Sequence, residues 1–159
     1  MLNMRYTILS LLLLSACTSP EIEKSHPSLP HLTGQTVAVY AFSNYTQTPL
    51  AGKRAASIAE GILSSKGIQT RYSVEKPYTN FSQMCHDAKQ HHTPYLLTGA
   101  VHEWRYKTGI DGEPAVSFSL KLLRTDTCSA VWSATAADND WGNASIGTTA
   151  QKLMNQTLQ

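Results

Sequence analysis

The chain has 159 residues, of which 42% are hydrophobic and 15% are charged. This length fits one ordinary domain, and the apolar content excludes a largely disordered chain or a solvated coiled coil. Thirteen Lys and Arg stand against eleven Asp and Glu, so the near-neutral charge implies no nucleic acid partner.

The first 16 residues have the pattern of a secretory signal peptide. One basic residue, Arg5, precedes an apolar run over 6–14 that is too short for a membrane-spanning helix of about 20 residues. The run leads into Leu14-Ser-Ala-Cys17, which matches the bacterial lipobox and predicts cleavage before Cys17 and lipidation of its sulfur. The alternative is a secreted protein with an incidental Cys17. Because residue 18 is Thr and not Asp, the bacterial sorting rule predicts the outer membrane, with the domain on its periplasmic face.

Residues 17–35 are predicted to form the lipidated N-terminus and a tether. Pro20, Pro27 and Pro30 lie among polar residues without a hydrophobic period, which is typical of a partly extended linker. Residues 36–159 are predicted to form a single domain.

Strands and helices alternate in the first half of this domain. The run TVAVYAF at 36–42 is rich in β-branched and aromatic residues and predicts a buried strand. Apolar residues at helical spacing predict an amphipathic helix over 51–66 that ends at Gly67. A short strand over 68–74 and a weaker helix over 82–91 follow.

Three consecutive strands and a closing helix complete the domain. The strands are predicted at 95–106, 115–124 and 129–136, with a turn at 109–114. Strand 115–124 alternates, which predicts four inward side chains: Val116, Phe118, Leu120 and Leu122. The closing helix is predicted from its apolar positions: Ile146, Ala150, Leu153, Met154 and Leu158. The order β-α-β-α-β-β-β-α predicts an α/β fold with a mixed sheet flanked by helices.

The stretch GAVHEWRYKTGIDGEPAVSFSLKL at 99–122 resembles the PelC family of Pel exopolysaccharide lipoproteins. The likeness extends to VAVYAFSNYTQTPLAGKRA at 37–55, to VWSA at 131–134 and to Trp141, and so covers nearly all of the predicted domain. The family's fold is similar to that of CsgG and of LpoB, which agrees with the order of elements above.

This resemblance implies a non-catalytic outer-membrane lipoprotein that forms a homo-oligomeric ring. The ring, a dodecamer in the family, would lie beside the β-barrel exporter PelB and present an acidic funnel to a cationic, partly deacetylated amino-sugar polymer. The connection from Lys107 to Glu113 has no room for the membrane-spanning hairpins of CsgG. An LpoB-like regulator of a peptidoglycan synthase is the alternative. Such a regulator needs a long tether, whereas about 18 residues span at most about 65 Å.

Asp111 and Glu113, in the turn at 109–114, are the candidate polymer-guiding acids. Acids in turns are normally only solvated, but one carboxylate per subunit, repeated around a ring, would focus a negative potential. With the resemblance, polymer guidance is favoured, mainly for Asp111. Glu103 could pair with Arg105 or Lys107 across a strand.

Trp141 lies in a polar loop and is the candidate membrane contact. It could fold back onto the sheet or sit at the headgroup level of the membrane. Asp138 and Asp140 flank it and count against contact with an anionic surface. Trp104 and Trp132 lie within strands and are predicted to serve the core or subunit contacts.

Cys85 and Cys128 remain once Cys17 is lipidated. In an oxidising periplasm they could form a disulfide or stay as two small apolar side chains. His86, His91 and His92 lack a matched carboxylate, so no metal site is predicted. His91 and His92 are expected to cap helix carbonyls. The sequence carries no nucleophile or phosphate-loop motif, which predicts a protein without catalysis or cofactor.

Overall fold

The computed structural model describes residues 19–73, 78, 80–107, 112–140 and 144–159. The strands are β1 Glu21–Lys24, β2 Thr36–Tyr40, β3 Ser43–Asn44, β4 Gln69–Ser73, β5 Tyr95–Tyr106, β6 Pro114–Arg124 and β7 Ser129–Asn139. The helices are α1 Ala51–Ser65, α2 Phe81–Gln90 and α3 Ile146–Thr157. Every predicted helix and strand is present, while β1 and β3 were not predicted.

All strands join one mixed sheet of order β1-β7-β6-β5-β2-β4, with β3 beside β5. Strand β2 is parallel to β4 and to β5, because α1 and α2 return the chain to the same end of the sheet. Strands β5, β6, β7 and β1 are antiparallel to their neighbours. The predicted α/β fold with a mixed sheet is confirmed.

The tether predicted for 17–35 is wrong over most of its length. Residues Glu21–Lys24 form an edge strand paired with β7, and Leu32 is buried in the core. Ile22 packs against that core, while Lys24 Nζ donates to the carbonyl of Gln156 at 3.2 Å. A four-residue strand with three charged side chains has no hydrophobic period, so its pairing is not visible in the sequence.

The two faces of the sheet are covered unequally. Helices α1 and α3 pack on one face, where the four predicted inward residues of β6 are buried as expected. Helix α2 covers only part of the other face and packs on Tyr40, Leu96 and Leu123. Within the described chain, no helix has the length and apolar character of a membrane span.

The rest of the second face is a polar surface beside α2. On β6, alternation directs Ser117 and Ser119 to it, since their neighbours are buried in the core. On β5, the register shifts between Val101 and Glu103, which is a β-bulge with His102 as the extra residue. We call the surface formed by His102, Glu103, Ser117 and Ser119 the open face.

Candidate functional site

The predicted acidic turn closes the hairpin between β5 and β6. The N–H of Lys107 donates to the carbonyl of Glu113 at 2.6 Å, and Tyr106 is paired with Pro114. The hairpin connection is therefore short, as the sequence predicts. Asp111 falls within 108–111, outside the described residues.

The described acids around this hairpin are ion-paired. Glu113 Oε2 lies 3.7 Å from Lys107 Nζ, and Glu103 Oε1 lies 2.7 Å from Arg105 Nη2. Of the two partners considered for Glu103, the structure selects Arg105. The stretch 103–113 contains three acidic and two basic side chains, so the charge left in excess of these two pairs is that of Asp111.

Two acids beside Trp141 are held by α3. Lys152 Nζ lies 3.7 Å from Asp138 Oδ2 and 3.6 Å from Asp140 Oδ2. Burial raises the pKa of Asp138; nearby Lys152 opposes this rise and Asp140 adds to it. Because Asp138 is buried and Asp140 is ion-paired, these two acids count less against contact of Trp141 with an anionic membrane surface. Trp141 itself lies in 141–143, outside the described residues.

The chain segments that lead to the predicted site residues all leave the sheet at the same end. Glu21 pairs with Ala137, so the segment that leads back to Cys17 and the segment that leads on to Trp141 leave the sheet at the same end. The N–H of Asp140 donates to the carbonyl of Pro114 at 3.2 Å, which places the β5–β6 connection there too. Cys17 lies in 1–18, outside the described residues.

Helix α2 is fastened to the sheet by a disulfide and a polar network. Cys85 and Cys128 form the disulfide, with their Cα atoms 5.8 Å apart. Asp87, buried on the same helix, accepts from Tyr40 Oη at 2.8 Å and from Arg71 Nη1 at 3.1 Å. Burial, and then the bond to Asp87, raise the pKa of Tyr40. The disulfide and these hydrogen bonds attach α2 to the sheet.

His86 lies on α2, and His91 and His92 directly follow it. The N–H groups of His91 and His92 donate to the carbonyls of Ala88 and Lys89, as main-chain groups do at a helix end. His91 Nε2 lies 3.8 Å from Asp87 Oδ1, so the expected lack of a matched carboxylate is wrong for His91. Among the described residues, no group of three or more His, Cys, Asp or Glu side chains could hold a metal ion. Both strand tryptophans lie in the core, and Trp132 Nε1 donates to the carbonyl of His26 at 3.3 Å.

Sequence reading missed a cleft of about 410 Å³ between the loop after β3 and the open face. The exposed ring of Tyr45 borders it and stacks on His102. A signal was present, because Val101 and Trp104 are large apolar residues three positions apart on one strand. That spacing breaks the two-residue period and indicates a bulge.

The fold and its sequence are similar to those of a protein of known structure, the PelC dodecamer from Paraburkholderia phytofirmans. The identity is 34%, over 88% of this chain and 95% of that chain, with a TM-score of 0.78. A variant of the same protein in another crystal form matches at 33% identity and a TM-score of 0.77. The chain belongs to the PelC family.

A protein of much lower sequence identity also shares this fold. Lipoprotein GNA1162 from Neisseria meningitidis is 18% identical over 77% of this chain and 96% of that chain, with a TM-score of 0.54, and shares the fold alone. No protein-family model matches the chain, and no curated protein sequence matches it. The family predicted from residues 99–122 is thus confirmed through structure.

Proposed function

We propose that this PelC-family chain is a non-catalytic, lipid-anchored subunit of a Pel-type exopolysaccharide secretion apparatus. Its place is the periplasmic face of the outer membrane, held by acyl chains on Cys17. The observation that carries the proposal is 34% identity over 88% of the chain to a PelC that is a dodecamer. The common end of the sheet supports the anchoring, since the segments that contain Cys17 and Trp141 both leave from it.

The subunits assemble into a ring, as a dodecamer. Closed rings arise from heterologous interfaces whose rotation closes, so each subunit uses two different surfaces. The lipid anchor favours such contacts because it concentrates the subunits on one membrane.

Asp111 is the residue through which the ring guides a cationic amino-sugar polymer toward the exporter PelB. A single exposed carboxylate attracts a cation by about 1 kcal/mol or less. Repeated close to a common axis, the same charge produces a potential of several kT. Such a field steers a polymer without holding it tightly. Glu113 contributes less, because Lys107 offsets its charge.

Strand β1 counts against the LpoB-like alternative. With β1 in the sheet, only residues 18–20 separate Cys17 from the folded domain. The four residue steps from Cys17 to Glu21 span at most about 14 Å, which keeps the domain at the membrane. A regulator that acts on a peptidoglycan synthase across the periplasm needs a far longer reach.

Secretion by charge variants tests this function. We expect Asp111→Asn to lower secreted polymer and Asp111→Lys to lower it further, because reversal repels the polymer where neutralisation only removes attraction. Glu113→Gln is the matched control and should have the smaller effect. Secreted polymer is measured by lectin binding, with fractionation and native mass spectrometry to show that anchoring and oligomer are intact.

Two results would contradict parts of this proposal separately. Wild-type secretion from both Asp111 variants would reject guidance by that residue and leave the ring in place. Normal secretion from cells that lack the chain would reject the secretion function as a whole.

A further inference from the structure

Tyr45 is an exposed aromatic side chain on a rigid loop. Its relative exposure is 71%, yet its N–H donates to the carbonyl of Val101 at 3.0 Å. Asn44 Oδ1 accepts from the N–H of Thr46 at 3.0 Å, and Asn44 Nδ2 donates to the carbonyl of Thr48 at 2.8 Å. These bonds hold the loop before any ligand arrives, so binding at Tyr45 carries a small ordering cost.

The β-bulge on β5 supplies the support for this ring. His102, the extra residue, lies with its imidazole 5.9 Å from the Tyr45 ring centre, and the two planes are 7° apart. A ring nitrogen of His102 is 3.1 Å from Ser119 Oγ, which fixes its position on the open face. The two rings are therefore parallel but offset, so His102 lies beside Tyr45 and most of the Tyr45 ring stays exposed.

Polar groups of several kinds surround this aromatic face. The cleft is lined by the hydroxyl residues Thr46, Thr48 and Ser117 and by the ion pair of Glu103 and Arg105. Its volume of about 410 Å³ lies in the range of small-ligand sites. A pyranose ring matches such a cleft, because its C–H face packs on an aromatic ring while its hydroxyls exchange hydrogen bonds with charged groups.

From this geometry we propose that the cleft beside Tyr45 is a saccharide subsite that binds one amino-sugar unit of the exported polymer. The choice of sugar rests on the proposed function. The sugar ring stacks on the exposed part of the Tyr45 ring, and its ammonium group gains from the aromatic ring. Glu103 adds little to this attraction, because Arg105 offsets its charge.

This subsite lies on the half of β5 that leads to the Asp111 turn. Glu103 precedes Lys107 by four strand positions, or about 13 Å. One weak subsite per subunit gives a ring many exchangeable contacts, which retain a polymer while letting it advance. Asp111 then acts through long-range attraction, whereas Tyr45 acts through direct contact.

Saturation-transfer NMR with the full-length lipidated protein in detergent micelles tests the subsite. The probes are a glucosamine tetramer and a glucose tetramer, which lacks the ammonium groups. We expect the glucosamine tetramer to receive transfer on its ring C–H protons and to bind more tightly than the glucose tetramer. Tyr45→Ala should weaken its binding about fivefold, while Tyr45→Phe should retain binding because the ring remains. Tyr72→Ala removes an exposed ring on β4 and is the matched control, with binding unchanged.

Three results would overturn the subsite. They are equal binding by wild type and Tyr45→Ala, equal binding of the two tetramers, and loss of the oligomer in Tyr45→Ala by native mass spectrometry. The last would show that Tyr45 is a subunit contact. None of these results would contradict the proposed secretion function. That function would be rejected only if cells without the chain exported the polymer normally.

Discussion

At the residue scale, Asp138 shows how burial changes the chemistry of one carboxyl group. Its side chain is 2% exposed, and Oδ2 has no hydrogen-bond partner among the described residues apart from the ion pair with Lys152 at 3.7 Å. Burial disfavours the charged form and raises the pKa of Asp138 above its ordinary value of 3.8. Between that value and the raised pKa, the folded state binds more protons than the unfolded state. The free energy of unfolding therefore falls, through this group, as the pH rises across that window.

Replacement of Asp138 should remove this pH dependence. We expect the free energy of unfolding of Asp138→Asn to decline less steeply than that of wild type as the pH is raised from about 4, because Asn does not titrate. Urea unfolding followed by tryptophan fluorescence at a series of pH values measures it. Asp140→Asn removes a more exposed acid that adds to the raised pKa of Asp138, so it should reduce the slope only in part and less than Asp138→Asn does. An unchanged slope in Asp138→Asn would contradict the assignment.

At the element scale, α2 depends on specific attachments more than on apolar packing. It is the shortest of the three described helices, with 10 residues, and only Met84, Cys85, Asp87 and Ala88 are buried on it. One of these is in the disulfide and another is the acceptor for Tyr40 and Arg71. The other two helices, by contrast, pack on the large apolar face of the sheet.

Removal of the disulfide should loosen α2 first. The bridge joins residues 43 apart, and closure of a loop of that size stabilises a protein by about 4 kcal/mol. We expect the double variant Cys85→Ser, Cys128→Ser to lose about this free energy of unfolding, and its α2 amides to exchange hydrogen faster while those of α3 change less. Wild type treated with a reductant should behave like the double variant. A double variant as stable as oxidised wild type would count against this role of the bridge.

At the scale of the whole molecule, the sheet has one end that gathers the proposed functional segments. The segments that lead to Cys17, Asp111 and Trp141 all leave from the end where β1 begins and β7 finishes. Cys17 precedes Glu21 by four residues, and Trp141 follows Ala137 by four, so each can lie at most about 14 Å from that pair. Under the proposed function, this end faces the outer membrane and the exporter.

Fractionation of two variants tests this orientation. We expect Cys17→Ser to lose outer-membrane association, and Trp141→Ala to weaken membrane seating with little change in melting temperature. Trp132→Ala is the matched control: it empties a buried position and should cost about 3–5 kcal/mol of stability. The measurements are membrane fractionation and thermal unfolding. If Trp141→Ala destabilised the fold as much as Trp132→Ala, Trp141 would belong to the core and not to a membrane contact.

The sequence alone predicted what depends on local periodicity. The helical spacing of α1 and α3 and the alternation along β6 place apolar groups on one side of each element, and that side has to be buried wherever the element packs. The order of elements predicted the mixed sheet, and the amino-acid sequence of residues 99–122 predicted the family.

Only the tertiary structure decided what depends on partners far apart in the chain. Strand β1 has no apolar period and exists because β7 offers it an open edge. The bulge that places His102 beside Tyr45 and the burial of Asp138 beneath Lys152 both depend on strand register or on helix position. Register is set by the packing of the whole sheet, because a slip of one residue would turn every side chain of a strand to the opposite face.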